Sequence, residues 1–289
     1  MQRQHILCCA IILGTGLVFS LVVVGVMHHP ASVQGSGSDL LRMDVALLLG
    51  YGIAGIVVWK QRTGSPNTVA AIVGAQIGLL LGAVQIANHL IEAFVPIRPF
   101  VLVISPVLLM LALLGTAGAA AWERTQSLVS AVTGGVGCAI VATLITLSFA
   151  ISFNLLFATR VNWQLREAFA ASGMIDPGGF RVRNILEASS EILVRMPLFA
   201  ICLAFASAVI HGWMSRESRR MAIAASFLAP LMFAAGAFAL WHANAVERAA
   251  RPPFVMSGVL LSGVALCAAY PIWSILRGSG GNTRGSVNC

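Results

Sequence analysis

Apolar runs about as long as a bilayer is thick recur along this chain, and they constrain its fold more than any other feature. A helix needs roughly 20 apolar residues to cross the hydrocarbon core. Runs of that kind fall at 6–27, 41–59, 68–90, 100–121, 128–157, 196–214, 221–243 and 254–276. They predict an all-α, polytopic helical bundle of about eight transmembrane helices, one transmembrane domain over 1–277, and a flexible tail over 278–289. The run at 128–157 exceeds what a bilayer needs and is expected to tilt or project.

Composition closes off the soluble alternatives. The chain is 58% hydrophobic and 10% charged, where a soluble domain carries about 25% charged residues, so no second, water-soluble domain is expected. The first run is 22 residues long; signal-peptide cores span about 7–15, so it is read as an uncleaved span. The formal charge is +8, but the arginines stand singly or in short groups at the ends of apolar runs. That placement is a topology signal rather than a phosphate-binding stripe, so nucleic acid is not an expected partner. Of the six cysteines, Cys138, Cys202 and Cys267 lie inside apolar runs, Cys8 and Cys9 near the start and Cys289 at the end. Their spacing shows neither a metal-type CxxC nor a disulfide framework.

Arginine and lysine orient the bundle. With the N-terminus inside, the short cytoplasmic segments hold nine and the short outer segments four, so both termini are expected in the cytoplasm, with the cell inner (plasma) membrane as host. The long outer loop, 158–195, adds five arginines and levels the raw count. Within that loop VNWQLREAFAA predicts a short interfacial helix, DPGG at 176–179 a turn, and RVRNILEASSEILVRMP a helix that enters the membrane at a kink marked by Pro197. Arg183, Glu187, Glu191 and Arg195 advance four residues at a time along it as a self-neutralising ladder.

One phrase returns at each outward turn: an acid, then an arginine, as the chain re-enters the bilayer. It reads DLLRM at 39–43, EAFVPIRPF at 92–100, EILVRMPLF at 191–199 and ERAARPPF at 247–254. The repetition points to a hairpin or 4+4 repeat, and its plain physical reading is anchoring: arginine snorkels, proline restarts the helix, phenylalanine seats the rim.

The third run adds a polar line. At about 100° per residue, Gly74, Gly78, Gly82, Gln85, His89 and Glu92 share one face. The glycines form a ridge for close helix packing, and the stripe ends in an amide, an imidazole and a carboxylate. Together with Arg98, Glu191, Arg195, His242, Glu247 and Arg251 these polar residues are the candidate ligand-binding set on the outer face. His89 and His242 occupy similar positions at the ends of their runs, which keeps haem or metal ligation as a weaker alternative; His211 lies at the opposite end and cannot join them. Catalytic signatures such as G-x-S-x-G, H-E-x-x-H and the P-loop are absent. By this reading no Asp, Glu, Lys or Arg sits at mid-depth in any run, which counts against a proton-coupled pump.

The expected function is therefore a non-enzymatic, permease-like or accessory membrane module without a cofactor. Its outer polar cluster would bind a small molecule, a lipid headgroup or a partner membrane subunit, another copy of the chain included. A haem or metal redox subunit and a pure scaffold are the alternatives. Convergence of Glu92, Arg195, His242 and Arg251 on one cavity would separate a site from simple anchoring.

Overall fold

The computed structural model describes residues 2–94 and 100–214. The runs at 221–243 and 254–276, the tail at 278–289, and Arg98, His242, Glu247 and Arg251 all lie outside these residues. The described chain is entirely helical: α1 (Gln2–His28), a 3₁₀ turn (Pro30–Val33), α2 (Gly37–Lys60), α3 (Pro66–Phe94), α4 (Phe100–Thr125), α5 (Leu128–Leu156), α6 (Ala158–Gln164), α7 (Arg166–Ser172) and α8 (Pro177–Met214). Six of these helices are long and apolar enough to cross a membrane, the architecture of a multi-pass membrane protein.

The bundle has two ends, called here proximal, where α1 begins, and distal, where it finishes. At the proximal end Gln4 on α1 donates from Nε2 to the Val58 and Gln61 carbonyls at 2.8 and 3.0 Å. These belong to the last turn of α2 and its cap, where carbonyls lack helical donors. Across the same end Ser130 of α5 donates to Asn67 of α3 at 2.9 Å.

α5 is apolar on every side, the pattern of a helix surrounded by others, and it packs against α1, α3, α4 and α8. Its contact with α3 is the most extensive between the described helices. The two run parallel, and a Cβ placed on Gly74 would collide with the Gly134 carbonyl; one on Gly78 would stand 2.5 Å from the Cys138 carbonyl oxygen and one on Gly82 2.9 Å from Ile145 Cγ2. Glycine spaced by four lets the backbones touch with nothing between them.

α8 departs from the expected outline. It is one helix of 38 residues that starts 19 residues before the run at 196–214. Its buried positions, Val182, Ile185, Leu186, Leu193, Met196, Ala200 and Leu203, keep helical spacing across that boundary. Residues 177–195 thus lie along α1, α2 and α5 instead of outside the bundle. The DPGG segment, expected as a turn, is the start of this helix. Asp176 caps it, accepting from the Gly178 and Gly179 amides at 2.9 Å each, and Pro177 occupies the first position, where its missing N–H costs nothing. A Cβ on Gly178 would displace the His29 ring, whose Nδ1 stands 3.5 Å from Asp176 Oδ2.

Between α5 and α8 the short helices α6 and α7 cover VNWQLRE. Trp163 there is flanked by the guanidinium groups of Arg160 and Arg166, at 5.0 and 4.9 Å from the ring centroid, an amphipathic arrangement suited to an interface.

Candidate functional site

The polar stripe of α3 begins at the glycines packed on α5 and continues through half-buried Gln85 and His89 to exposed Glu92. His89 meets aromatic edges, with Phe149 and Phe153 ring centroids 6.0 and 5.5 Å away at near-perpendicular angles. The backbone carbonyls of Glu92 and Ala93 accept from Gln164 Nε2 at 3.3 and 3.1 Å, tying α6 to the end of α3. Among the described residues no group of three or more His, Cys, Asp and Glu side chains could hold a metal ion.

Glu191 and Arg195 pair with each other on α8, 2.5 Å apart and each about half exposed. Arg183, the first member of the expected ladder, instead donates to Ser36 before α2. α3 packs on α4 and α5, and α8 on α2, α4 and α5, so α3 and α8 are on different sides of α5. The candidate set therefore occupies two places in the described part: the distal end of α3 and the middle of α8.

The interior holds a group that the sequence reading assigned to the rim. Asp44, seven residues and about 10 Å past the start of α2, is 0% exposed. Its Oδ2 lies 2.5 Å from Ser189 Oγ and its Oδ1 2.6 Å from Ser190 Oγ, both donors carried by α8. Ser189 Oγ also lies 3.0 Å from the Leu186 carbonyl. This corrects the expected place of Asp44 on the outer side; it lies inside the bundle, though short of the middle of a 24-residue helix. Asp44 falls in the first turn of the apolar run at 41–59, which by itself would place it at the rim. The helix itself begins at Gly37, and that earlier start carries Asp44 inward.

Two turns further along α8, Pro197 has no N–H and leaves the Leu193 carbonyl without its helical donor. Tyr51 of α2 supplies the missing bond, its hydroxyl donating to that carbonyl at 3.0 Å. Tyr51 follows Asp44 by seven residues, two helical turns, so α2 presents both groups to α8 from one face. Thr143 of α5 adjoins the Tyr51 phenol, is 0% exposed, and its Oγ1 has no hydrogen-bond partner. α2 and α8 are thus joined by polar bonds at two heights, carboxylate to hydroxyls above and phenol to carbonyl below. The sequence contained one usable signal, the two-turn spacing of Asp44 and Tyr51; nothing in it identified Ser189 and Ser190 as partners.

The chain matches no protein-family model, no curated protein and no solved structure.

Proposed function

We propose that this protein is a permease-like, non-enzymatic module of a cell's inner membrane, with both termini in the cytoplasm, whose polar centre is Asp44 with Ser189 and Ser190. The outer-face residues Gln85, His89, Glu92, Arg98, His242, Glu247 and Arg251, with Glu191 and Arg195 deeper on α8, form the set that binds a small solute, lipid headgroup or partner subunit. The observation that carries this reading is the fully buried carboxylate shared between two separate helices. An ionisable group inside a membrane bundle is costly and marks a ligand or ion site by default. Bonds between helices, unlike bonds within one, can be broken and remade when the helices move.

The test is ligand-induced stabilisation of the purified full chain. A bound solute raises the melting temperature as its concentration exceeds Kd. With a panel of cationic, anionic and zwitterionic small solutes, one class should raise the Tm of the wild-type protein and leave Asp44→Asn unchanged. An equal rise in the variant, or none in the wild type, removes the reading. A Soret absorbance or stoichiometric bound metal would turn it to the redox alternative built on His89 and His242.

A further inference from the structure

We infer that the ion taken by the Asp44 site is a proton and not a metal cation, with Ser189 as the side chain that changes partner when the proton arrives. The inference rests on Asp44 being the working centre of the protein.

Hydroxyl-to-carboxylate hydrogen bonds run about 2.5–2.7 Å, and the two contacts of Asp44, 2.5 and 2.6 Å, fill that range. Each carboxylate oxygen is then separated from its hydroxyl by one hydrogen. A hard metal cation gathers about six or more oxygens around itself, whereas the side chains bonded to Asp44 among the described residues are two serines whose hydrogens already face its oxygens.

The same geometry accepts a proton without leaving a polar atom stranded. A hydroxyl carries one hydrogen and two acceptor lone pairs. With Asp44 ionised, Ser189 and Ser190 both donate to it. When Asp44 takes a proton from water on Oδ2, that new O–H donates to Ser189 Oγ, and Ser189 turns its own hydrogen to the Leu186 carbonyl 3.0 Å away. Loss of the proton to water reverses each move. The partner shift stays within α8, while the sign of the α2–α8 bond reverses from acceptor to donor on Asp44.

Among the described residues, the charged groups of the helices packed around Asp44 are engaged elsewhere or face outward. α1 has no ionisable side chain between Cys9 and His28, and α5 has only Cys138, packed in a different cluster with Leu81 and Leu111. On α2, Asp39 and Arg42 are exposed and paired with each other, and Tyr51 is engaged with Leu193. On α8, buried Arg181 donates to Asn162 of α6, Arg183 is turned to Ser36, Glu187 is exposed, and Glu191 is paired with Arg195.

The chain has three aspartates, Asp39, Asp44 and Asp176, so carboxyl-¹³C aspartate labelling of the full chain in vesicles isolates few bands. Infrared difference spectra across a pH series should show a labelled carboxylic-acid band that rises on acidification and shifts in deuterium oxide. It should be absent in Asp44→Asn and displaced in Ser189→Ala. Exchanging sodium for potassium or choline at fixed pH should leave it unmoved. A band that is constant over the series, or that follows sodium at fixed pH, overturns the inference. Ser189→Ala keeps the test open if Asp44→Asn does not fold: an unmoved band in that variant also overturns it. A titrating band without any solute-dependent Tm shift upholds the proton site while the permease reading fails, and the converse result does the opposite.

Discussion

Tyr51 and Pro197 show how one side chain can repair another helix. The Leu193 carbonyl is freed by the proline ring and taken up by the phenol, and an unsatisfied buried carbonyl costs about 1–3 kcal/mol. Tyr51→Phe should therefore destabilise the protein by about that amount, read as a fall in Tm of the full chain. In a Pro197→Ala background residue 197 regains its N–H, and the same Tyr51→Phe change should cost clearly less. Equal losses in both backgrounds would mean that the phenol acts by packing alone.

Asp176 makes a second prediction at this scale. Partial burial works to raise its pKa, but the Gly178 and Gly179 amides and the neighbouring His29 outweigh that and hold it below the ordinary carboxylate value. A carboxyl with a depressed pKa contributes its stability above its unfolded pKa, about 3.9, and loses it as pH falls through the lower folded value. Tm should therefore fall below about pH 4, and Asp176→Asn, which keeps the cap without the charge, should flatten part of that fall. Residue-level legibility was uneven for a physical reason. The spacing of Gly74, Gly78 and Gly82 lies within one helix and is visible in sequence, whereas Asp44 takes its meaning from serines about 145 positions away.

At the scale of elements the two inter-helix joints differ in kind. α3 and α5 meet backbone to backbone, so Gly74→Ala has no space at all, while Gly50 on α2 has nothing within 4 Å of its would-be Cβ. Gly74→Ala should push the helices apart and cost upwards of about 1–3 kcal/mol; Gly50→Ala should be neutral or slightly stabilising. Gel filtration and melting of the two variants side by side would check the contrast. The extent of α8 was the least legible element. Pro197 and the charges before it resemble a membrane entry point, yet a proline inside a helix is tolerated when a neighbour satisfies the freed carbonyl, and here Tyr51 does so. At 1.5 Å per residue α8 is about 57 Å long, against a hydrocarbon core of roughly 30 Å, so it must tilt or project.

Among the described helices of the whole molecule α5 is the hub, with α3 packed backbone to backbone on one side and α8, itself bonded to α2 through polar groups, on the other. The outer face of α8 poses a question at this scale. Glu191 and Arg195 flank Leu193, which is level with Tyr51, and Tyr51 lies nine residues, about 14 Å, from the proximal end of α2. A half-exposed ion pair near the middle of an apolar bundle is costly against lipid tails, so this face should be shielded by protein. Cys202 shares it, seven residues beyond Arg195, and is exposed, as is Cys9 on α1. A fluorophore on Cys202, in a chain with no other cysteine, should be quenched by brominated lipid markedly less than one on Cys9. Equal quenching would place the ion pair against lipid. The number and apolar character of the described spans could be read from sequence because lipid imposes them locally; which faces meet could not, because that depends on packing between distant runs.

The long separation of Asp44 from its hydroxyls also has a consequence in time. The ribosome adds about 5–20 residues per second, so roughly 7–30 s pass between the synthesis of Asp44 and that of Ser189, 145 positions later. Throughout that interval α2 exists without the groups that make its carboxylate tolerable in the membrane. The nascent helix must wait with Asp44 protonated or drawn out to the water boundary, and the joint closes only when α8 arrives.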